Sequence, residues 1–246
     1  MDELLSQIAT ALAKATTLRK EGDGLRKDAL DAPAPDAEAL QAEALQAYRQ
    51  GTDGILGALA SAAPARAALP APPLLAGTAA ARLVLELVEL HGAAGGLFQR
   101  QGERGQALDS YRAGAALELA FGLASTYNRL NALKLELLSG SQSLGTLTPR
   151  IEALAHHIQQ SLRDDKSLGD GGWIYADLGD CLALLGRADE AGRAYATFIA
   201  KADVKLPERA LDVLRDVAQA LRRAGDADVA RVDLAIQTLK GQLGAA

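Results

Sequence analysis

Two stretches of this chain carry the same spacing of small and large residues around a glycine. In WIYADLGDCLALLGRADEAGRAYATF, residues 173–198, Gly186 has Gly179 seven positions before it, Ala191 five after it and Tyr195 four further on. In HGAAGGLFQRQGERGQALDSY, residues 91–111, Gly95, Gly102, Ala107 and Tyr111 stand at the same offsets. A looser third copy around Gly225 has Ala218 upstream, Ala230 downstream and Leu234 in the tyrosine slot. Two antiparallel helices approach closely only where small side chains meet, so the upstream glycine is expected to face the downstream alanine. The central glycine ends the first helix, because it can take the left-handed conformation that other residues resist. Glu103, Asp189, Glu190 and Asp226, just past the turns, suit the positive N-terminal end of the next helix. The large residue one turn beyond the alanine is expected to fill the space between helix pairs.

Composition points the same way. Hydrophobic residues make up 49% of the chain but aromatics only 4%, so a core must be built from Ala, Leu and Val. Such a core favours close-packed helices over sheets. Leu4, Leu5, Ile8, Leu12 and Leu18 make a helical stripe over residues 2–30, which Gly22 and Gly24 are expected to kink. Asp36 is a candidate N-cap for a helix to residue 63, and Thr78 for one over 79–100. Further helices are expected over 105–119, 122–138, 149–163 with Thr148-Pro149 opening, 173–201 as a pair, 207–224 and 227–243.

The spacing resembles the tetratricopeptide repeat (TPR), W-x2-L-G-x2-Y then A-x3-F then P over roughly 34 residues. Leu178-Gly179-x2-Leu182 with Ala191-x3-Tyr195, and Ala94-Gly95-x2-Phe98 with Ala107-x3-Tyr111, carry the likeness. The closing proline is missing after the first copy and late, at Pro207, after the second. The resemblance implies an all-α fold of about five antiparallel helix pairs stacked as a right-handed solenoid. A narrower resemblance links STYNRLNALKLELLSG and WIYADLGDCLALLGRADEA to the TRAF-binding repeat region of apoptosis signal-regulating kinases and stand-alone bacterial relatives. Tyr127-Asn128, Asn131, Trp173 and Leu184-Leu185-Gly186 carry it. The expected division is an N-terminal hairpin over 1–63, either a divergent repeat or a dimerisation element, a Pro/Ala-rich linker over 64–76, and a helical-repeat domain over 77–246.

The chemistry of catalysis is not visible. HExxH, GxSxG, P-loop and zinc spacings are absent. His156 and His157 are neighbours, so on a helix they point about 100° apart and do not chelate one ion. The acidic run DDKSLGDGG lacks the closing glutamate of a calcium loop. Cys181 shares an apolar stripe with Leu178, Leu182 and Leu185 and reads as a packing thiol. A net charge of −5 argues against non-specific binding to nucleic acid or a membrane surface. No targeting segment and no membrane-length apolar run is read from the sequence. The expectation is a cytoplasmic, non-catalytic scaffold with no cofactor and no metal, which holds a protein or peptide partner. A ligand-sensing domain is one alternative, and a structural module that forms homo-oligomers through the hairpin is another.

In the resembled family the first helix of each pair lines a concave groove. That register places Glu89, Gly92, Gly96, Gln99 and Arg100 there, then Tyr127, Leu130, Lys134, Leu137 and Leu138. Trp173, Ala176, Asp180, Ala183 and Leu184 follow, and last Asp212, Arg215, Gln219, Arg222 and Arg223. The lysine and amide pair that clamps chaperone tails in some such repeats is missing from the slots at Gly92 and Gly96. Arg100, Tyr127, Leu130, Lys134, Trp173, Asp180, Arg215, Gln219 and Arg222 are the expected partner-binding residues. Their basic excess suggests an acidic segment as the occupant.

Overall fold

The structure of the protein, a computed structural model, describes residues 1–202 and 207–243. Their regular elements are all helical: α1 (Asp2–Asp31), α2 (Ala34–Ala67), α3 (Ala79–Gln101), α4 (Arg104–Ala120), α5 (Tyr127–Leu138), α6 (Leu144–Asp164), α7 (Trp173–Leu184), α8 (Ala188–Ala202), α9 (Pro207–Ala224) and α10 (Val229–Leu243), with a 3-10 turn at Lys166–Gly169. The all-α expectation holds. Among the described residues no helix is long and apolar enough to cross a membrane.

The chain forms two compact units, Met1–Leu123 and Ala124–Ala246. The division differs from the one drawn at residues 63 and 76. In the first unit α1 and α2 pack on each other and both pack on α3, which also pairs with α4. The hairpin is thus built into the same core as the first repeat copy. Its second helix runs through Pro64 to Ala67 instead of stopping at residue 63. Pro64 is exposed and close to the helix end, so the carbonyl it leaves without a donor can turn to water.

In the second unit α7 pairs with α8 and packs on α6, and α9 pairs with α10. The last pair reaches two others, and its contact with α5 skips a pair. Helix α9 packs on α5, and α10 packs on both α7 and α8. The core of this unit runs from Leu130 and Leu133 through Leu147, Ile151 and Ile158 to Leu182, Leu214, Leu221 and Ile236.

The turns behave as the repeat copies require. Gly102 and Gly186 have φ of 82° and 73°, in the left-handed region. The Gly102 amide donates to the Gln99 carbonyl (3.1 Å) and the Glu103 amide to Phe98 (2.9 Å). Gly186 and Arg187 do the same to Ala183 (3.0 Å) and Leu182 (2.9 Å). These paired bonds satisfy carbonyls that the helix end would leave open.

The small-residue contact is a different one from that expected. Ala107 and Ala191 are fully buried. What lies over each upstream glycine, however, is the tyrosine. A Cβ on Gly95 would sit 2.7 Å from the Tyr111 ring, and one on Gly179 2.9 Å from the Tyr195 ring. The tyrosine therefore packs inside its own hairpin and does not fill space between pairs.

The same device recurs where the spacing hid it. A Cβ on Gly22 would come 2.5 Å from the ring of Tyr48. Gly22 does not kink α1, which is continuous over Asp2–Asp31. Its role is to admit an aromatic ring from α2. The third copy around Gly225, in contrast, does not pack as its register requires. Ala230 is exposed, and Leu234 is 55% exposed. Helix α10 instead buries Val232, Ala235, Ile236 and Leu239.

Helix starts also moved. Thr78 caps α3 as expected, its hydroxyl accepting from the Ala81 amide at 3.2 Å. Helix α2 begins at Ala34, ahead of Asp36, with prolines at its first turn. Helix α5 begins at Tyr127, because Gly122 takes φ of 60° and stops the chain from continuing from α4. Helix α6 begins at Leu144, five residues before Pro149. Ser143 caps it by accepting from the Thr146 amide (3.1 Å), and the Leu144 amide donates to Asp226 (2.8 Å).

One buried polar group should make the first unit acid-sensitive. His91 on α3 is buried, and neither ring nitrogen has a hydrogen-bond partner. Burial, and then the charge of Arg66, push its pKa down to about 4. The unfolded imidazole binds its proton near pH 6.5, so stability should fall as the pH drops from about 6.5 to about 4. The loss approaches about 3 kcal/mol, at 1.36 kcal/mol per pH unit. Chemical denaturation of wild type and His91→Leu across that window checks this. The variant should lack this part of the pH dependence; parallel curves would refute it.

Candidate partner-binding pocket

The residues that meet at the site start from two helix ends. Gly172, at φ of 78°, turns the chain so that Trp173 is the first residue of α7. A side chain at that position lies beyond the packed turns, and Trp173 stays 61% exposed. Tyr127 is likewise the first residue of α5 and is 48% exposed. Thr126, which precedes it, donates its hydroxyl proton to the Asp177 carboxylate at 2.7 Å and ties that end of α5 to α7.

Around these two side chains lies a cavity of about 580 Å³. Its lining includes Leu168 from the 3-10 turn, Ile174 and Ala176 from α7, Phe198 from α8 and Val213 from α9. The Trp173 and Phe198 rings are 5.1 Å apart and tilted by 53°, a favourable aromatic pairing that makes one wall. Tyr127, Leu168, Trp173 and Val213 are four of the exposed large hydrophobic side chains of the protein, and all four line this one cavity.

The polar part of the lining is Ser125, Thr126, Asn131, Lys134, Asp177 and Asp180. Lys134 on α5 donates to Asp180 on α7, and the Tyr195 hydroxyl from α8 donates to the same carboxylate. The side chains of Lys134 and Asp180 are only 13% and 10% exposed, so the pair is closed off from water. Burial alone would lower the Lys134 pKa, but Asp180 and Asp177 beside it overcome this and hold it above the ordinary lysine value. Burial, then the Asp180 charge, hold the Tyr195 hydroxyl well above its usual range. Burial also raises the Cys181 thiol, so it stays protonated, in keeping with a packing role.

A parallel arrangement exists in the first unit. The Tyr48 hydroxyl donates to Asp23 (2.9 Å), and Arg100 from α3 donates to the same carboxylate at 2.7 Å and 3.2 Å. Burial would raise the Asp23 pKa, but the bonds from Arg100 and Tyr48 bring it below the ordinary value. Burial and Asp23 push Tyr48 up to about 12. In both units a tyrosine over a glycine bonds the acid that follows the glycine, and a cation from a third helix closes the set.

The structure thus gathers four of the nine expected partner-binding residues: Tyr127, Lys134, Trp173 and Asp180. Leu130 is fully buried in the core and cannot meet a partner. The same holds for Leu137, Ala183 and Leu184 of the wider groove register. Arg100 belongs to the first unit and is bonded to Asp23. On α9, Arg215 pairs with Asp212 (2.6 Å), Arg222 pairs with Asp233, and Gln219 is exposed; none of these lines the cavity. The basic excess counted along the sequence is therefore met by acids of the chain itself.

Leu168, Phe198, Asp177 and Val213 escaped the sequence reading. Phe198 was within reach of it. Trp173 begins the first helix of a hairpin and Phe198 lies near the end of the second, so antiparallel packing brings them together. Leu168 and Val213 come from a turn and from a helix outside that hairpin, and no local spacing announces them. No family model matches the chain, and no curated protein matches it significantly.

Proposed function

We propose that the protein is a non-catalytic adaptor that holds a segment of a partner protein in the cavity between α5, α7, α8 and α9. The observation that carries this reading is the concentration of exposed Tyr127, Leu168, Trp173 and Val213 in one concavity. Large apolar side chains left exposed together mark interaction sites more often than scattered ones do. Aromatic residues in a pocket are also the side chains that carry most binding energy in interfaces. The TPR-like hairpins at Gly95–Tyr111 and Gly179–Tyr195 support a helical-repeat scaffold. The α5–α9 contact, which skips a pair, makes the second unit a closed bundle more than an open linear stack, in which each repeat touches only its neighbours. The partner site is then a pocket and not a continuous groove.

The test compares wild type with Trp173→Ala/Tyr127→Ala in crosslinking capture from cells, with circular dichroism to show that both stay helical. A defined protein captured by the wild type, and lost with the double variant, supports the adaptor. A partner profile that the double variant leaves unchanged overturns this pocket as the site. A second reading, a small-molecule sensor, has one observation in its favour. About 580 Å³ is within the usual size of ligand pockets, roughly 300–1,000 Å³, and the lining is mostly apolar with a few polar groups. Ligand-dependent thermal stabilisation that Trp173→Ala abolishes would select it.

A further inference from the structure

We infer that the segment held in the cavity is extended and is read through its main chain: one residue gives its N–H to Asn131 and its C=O to Lys134, while a large apolar side chain beside it packs on Trp173. The inference rests on the adaptor reading and fixes the form of the partner segment. Asn131 and Lys134 both line the cavity. They stand three positions apart on α5, so they are neighbours on one face of the helix. Each has hydrogen-bonding capacity that the chain itself does not use. A lysine ammonium carries three N–H donors, and the bond to Asp180 takes one of them. Asn131 turns the NH2 end of its amide to the Tyr127 carbonyl at 2.8 Å. A carbonyl oxygen only accepts, so this bond fixes which end is engaged and leaves over the acceptor Oδ1. The lining thus carries an acceptor and a donor about one helical turn apart.

That pair is the complement of one residue of an extended chain. In a strand the N–H and C=O of the same residue point to the same side, which is how paired residues of an antiparallel ladder exchange two bonds. A helical segment has no such residue to offer, because its N–H and C=O groups are bonded within the helix except at the ends. A carboxylate is a poorer match. It only accepts, so it would set an oxygen against Asn131 Oδ1, and the Lys134 charge already answers Asp180. Successive side chains of an extended segment point to opposite faces, so one of them can reach Trp173, Phe198, Leu168 and Val213 while the main chain runs along α5. The apolar wall then supplies contact area, and the two polar groups fix the direction and register of the segment.

The experiment selects random peptides displayed on phage against the full chain, and discards those that also bind Trp173→Ala. The survivors are synthesised with each amide N–H replaced in turn by an ester oxygen, and titrated while the fluorescence of Trp173, the only tryptophan, is followed. One ester position, next to a large apolar residue, should weaken binding to the wild type about 2–10-fold, the range of a single net hydrogen bond. Asn131→Ala should weaken the all-amide peptide by a similar factor and leave the affinity of that ester form unchanged. The scan on the wild type serves alone if Asn131→Ala does not fold. A scan with no sensitive position, a sensitive position that Asn131→Ala does not silence, or survivors that turn helical on binding by circular dichroism each overturn the extended main-chain reading and leave the adaptor standing. So do survivors whose binding is lost when a carboxylate is amidated. No Trp173-dependent survivor at all overturns the adaptor reading itself.

Discussion

Replacing Lys134 by methionine should lower the stability of the second unit by about 3–5 kcal/mol, the usual cost of removing one partner of a buried ion pair. Asp180 would keep only the Tyr195 hydroxyl from this set, in a place where its side chain is 10% exposed. A carboxylate stranded in that way raises its pKa to escape its charge. The penalty should then be full above the raised pKa, fade as the pH drops from there to the ordinary carboxylate value, and be gone below it. In the wild type the sign is the reverse. The Lys134 pKa is raised, so the pairing stabilises fully below the unfolded lysine value and is lost only as the pH rises through the folded one. Removing all three polar groups, Lys134→Met/Asp180→Leu/Tyr195→Phe, should recover much of the loss, because no buried group is left without a partner. Urea denaturation of the single and triple variants near neutral and acidic pH decides it. A single variant within about 0.5 kcal/mol of wild type, the range of ordinary surface changes, would mean that the pair is open to water and not closed.

How far the sequence speaks for this molecule depends on the range of the interaction. The helices, their glycine turns and the Thr78 cap follow from residues a few positions apart, and they could be read directly. Pro149 misled because proline is most at home in the first turn of a helix, whereas here Ser143 and Asp226 anchor the start further upstream. Gly22 misled for a similar reason. A glycine in a helix looks like a weak point until the ring that covers it is known, and Tyr48 lies twenty-six positions away on a longer hairpin than the other two. The pocket was half legible. Trp173, Tyr127, Lys134 and Asp180 lie on helices whose faces the repeat register orders. Leu168 and Val213 depend on which helices close the bundle, and the α9–α5 contact is not written in any local pattern. The charge count failed because it treated arginines on α9 as free to meet a partner, while Asp212 and Asp233 already hold two of them.

The tyrosine-over-glycine contact should be the strongest single packing element of each hairpin, and it can be tested by coupling. Tyr111 and Tyr48 are fully buried, and truncating a large aromatic in a core costs about 3–5 kcal/mol. Tyr111→Ala should fall in that range, the more so because the hydroxyl also gives up its bond to Gln99 at 3.0 Å. Gly95→Ala sets two effects against each other. Alanine favours a helix interior over glycine by about 1 kcal/mol. The added methyl, however, would sit 2.7 Å from the Tyr111 ring, and overpacking of this sort costs about 1–3 kcal/mol. A buried ring cannot swing aside as a flexible chain end can, so the clash should win and the variant should be less stable than wild type. In the Tyr111→Ala background the ring is gone, and the same Gly95→Ala change should become stabilising, by up to about 1 kcal/mol, the helix-propensity gain. That reversal of sign is a direct signature of the contact, since residues that touch are the ones whose effects do not add. The matching cycle at Gly179 and Tyr195 should behave alike, with the larger loss for Tyr195→Ala because Asp180 would lose a bond as well. Gly95→Ala effects that are equal in both backgrounds would show that the ring does not lie on the glycine, and with that the hairpin register would fall.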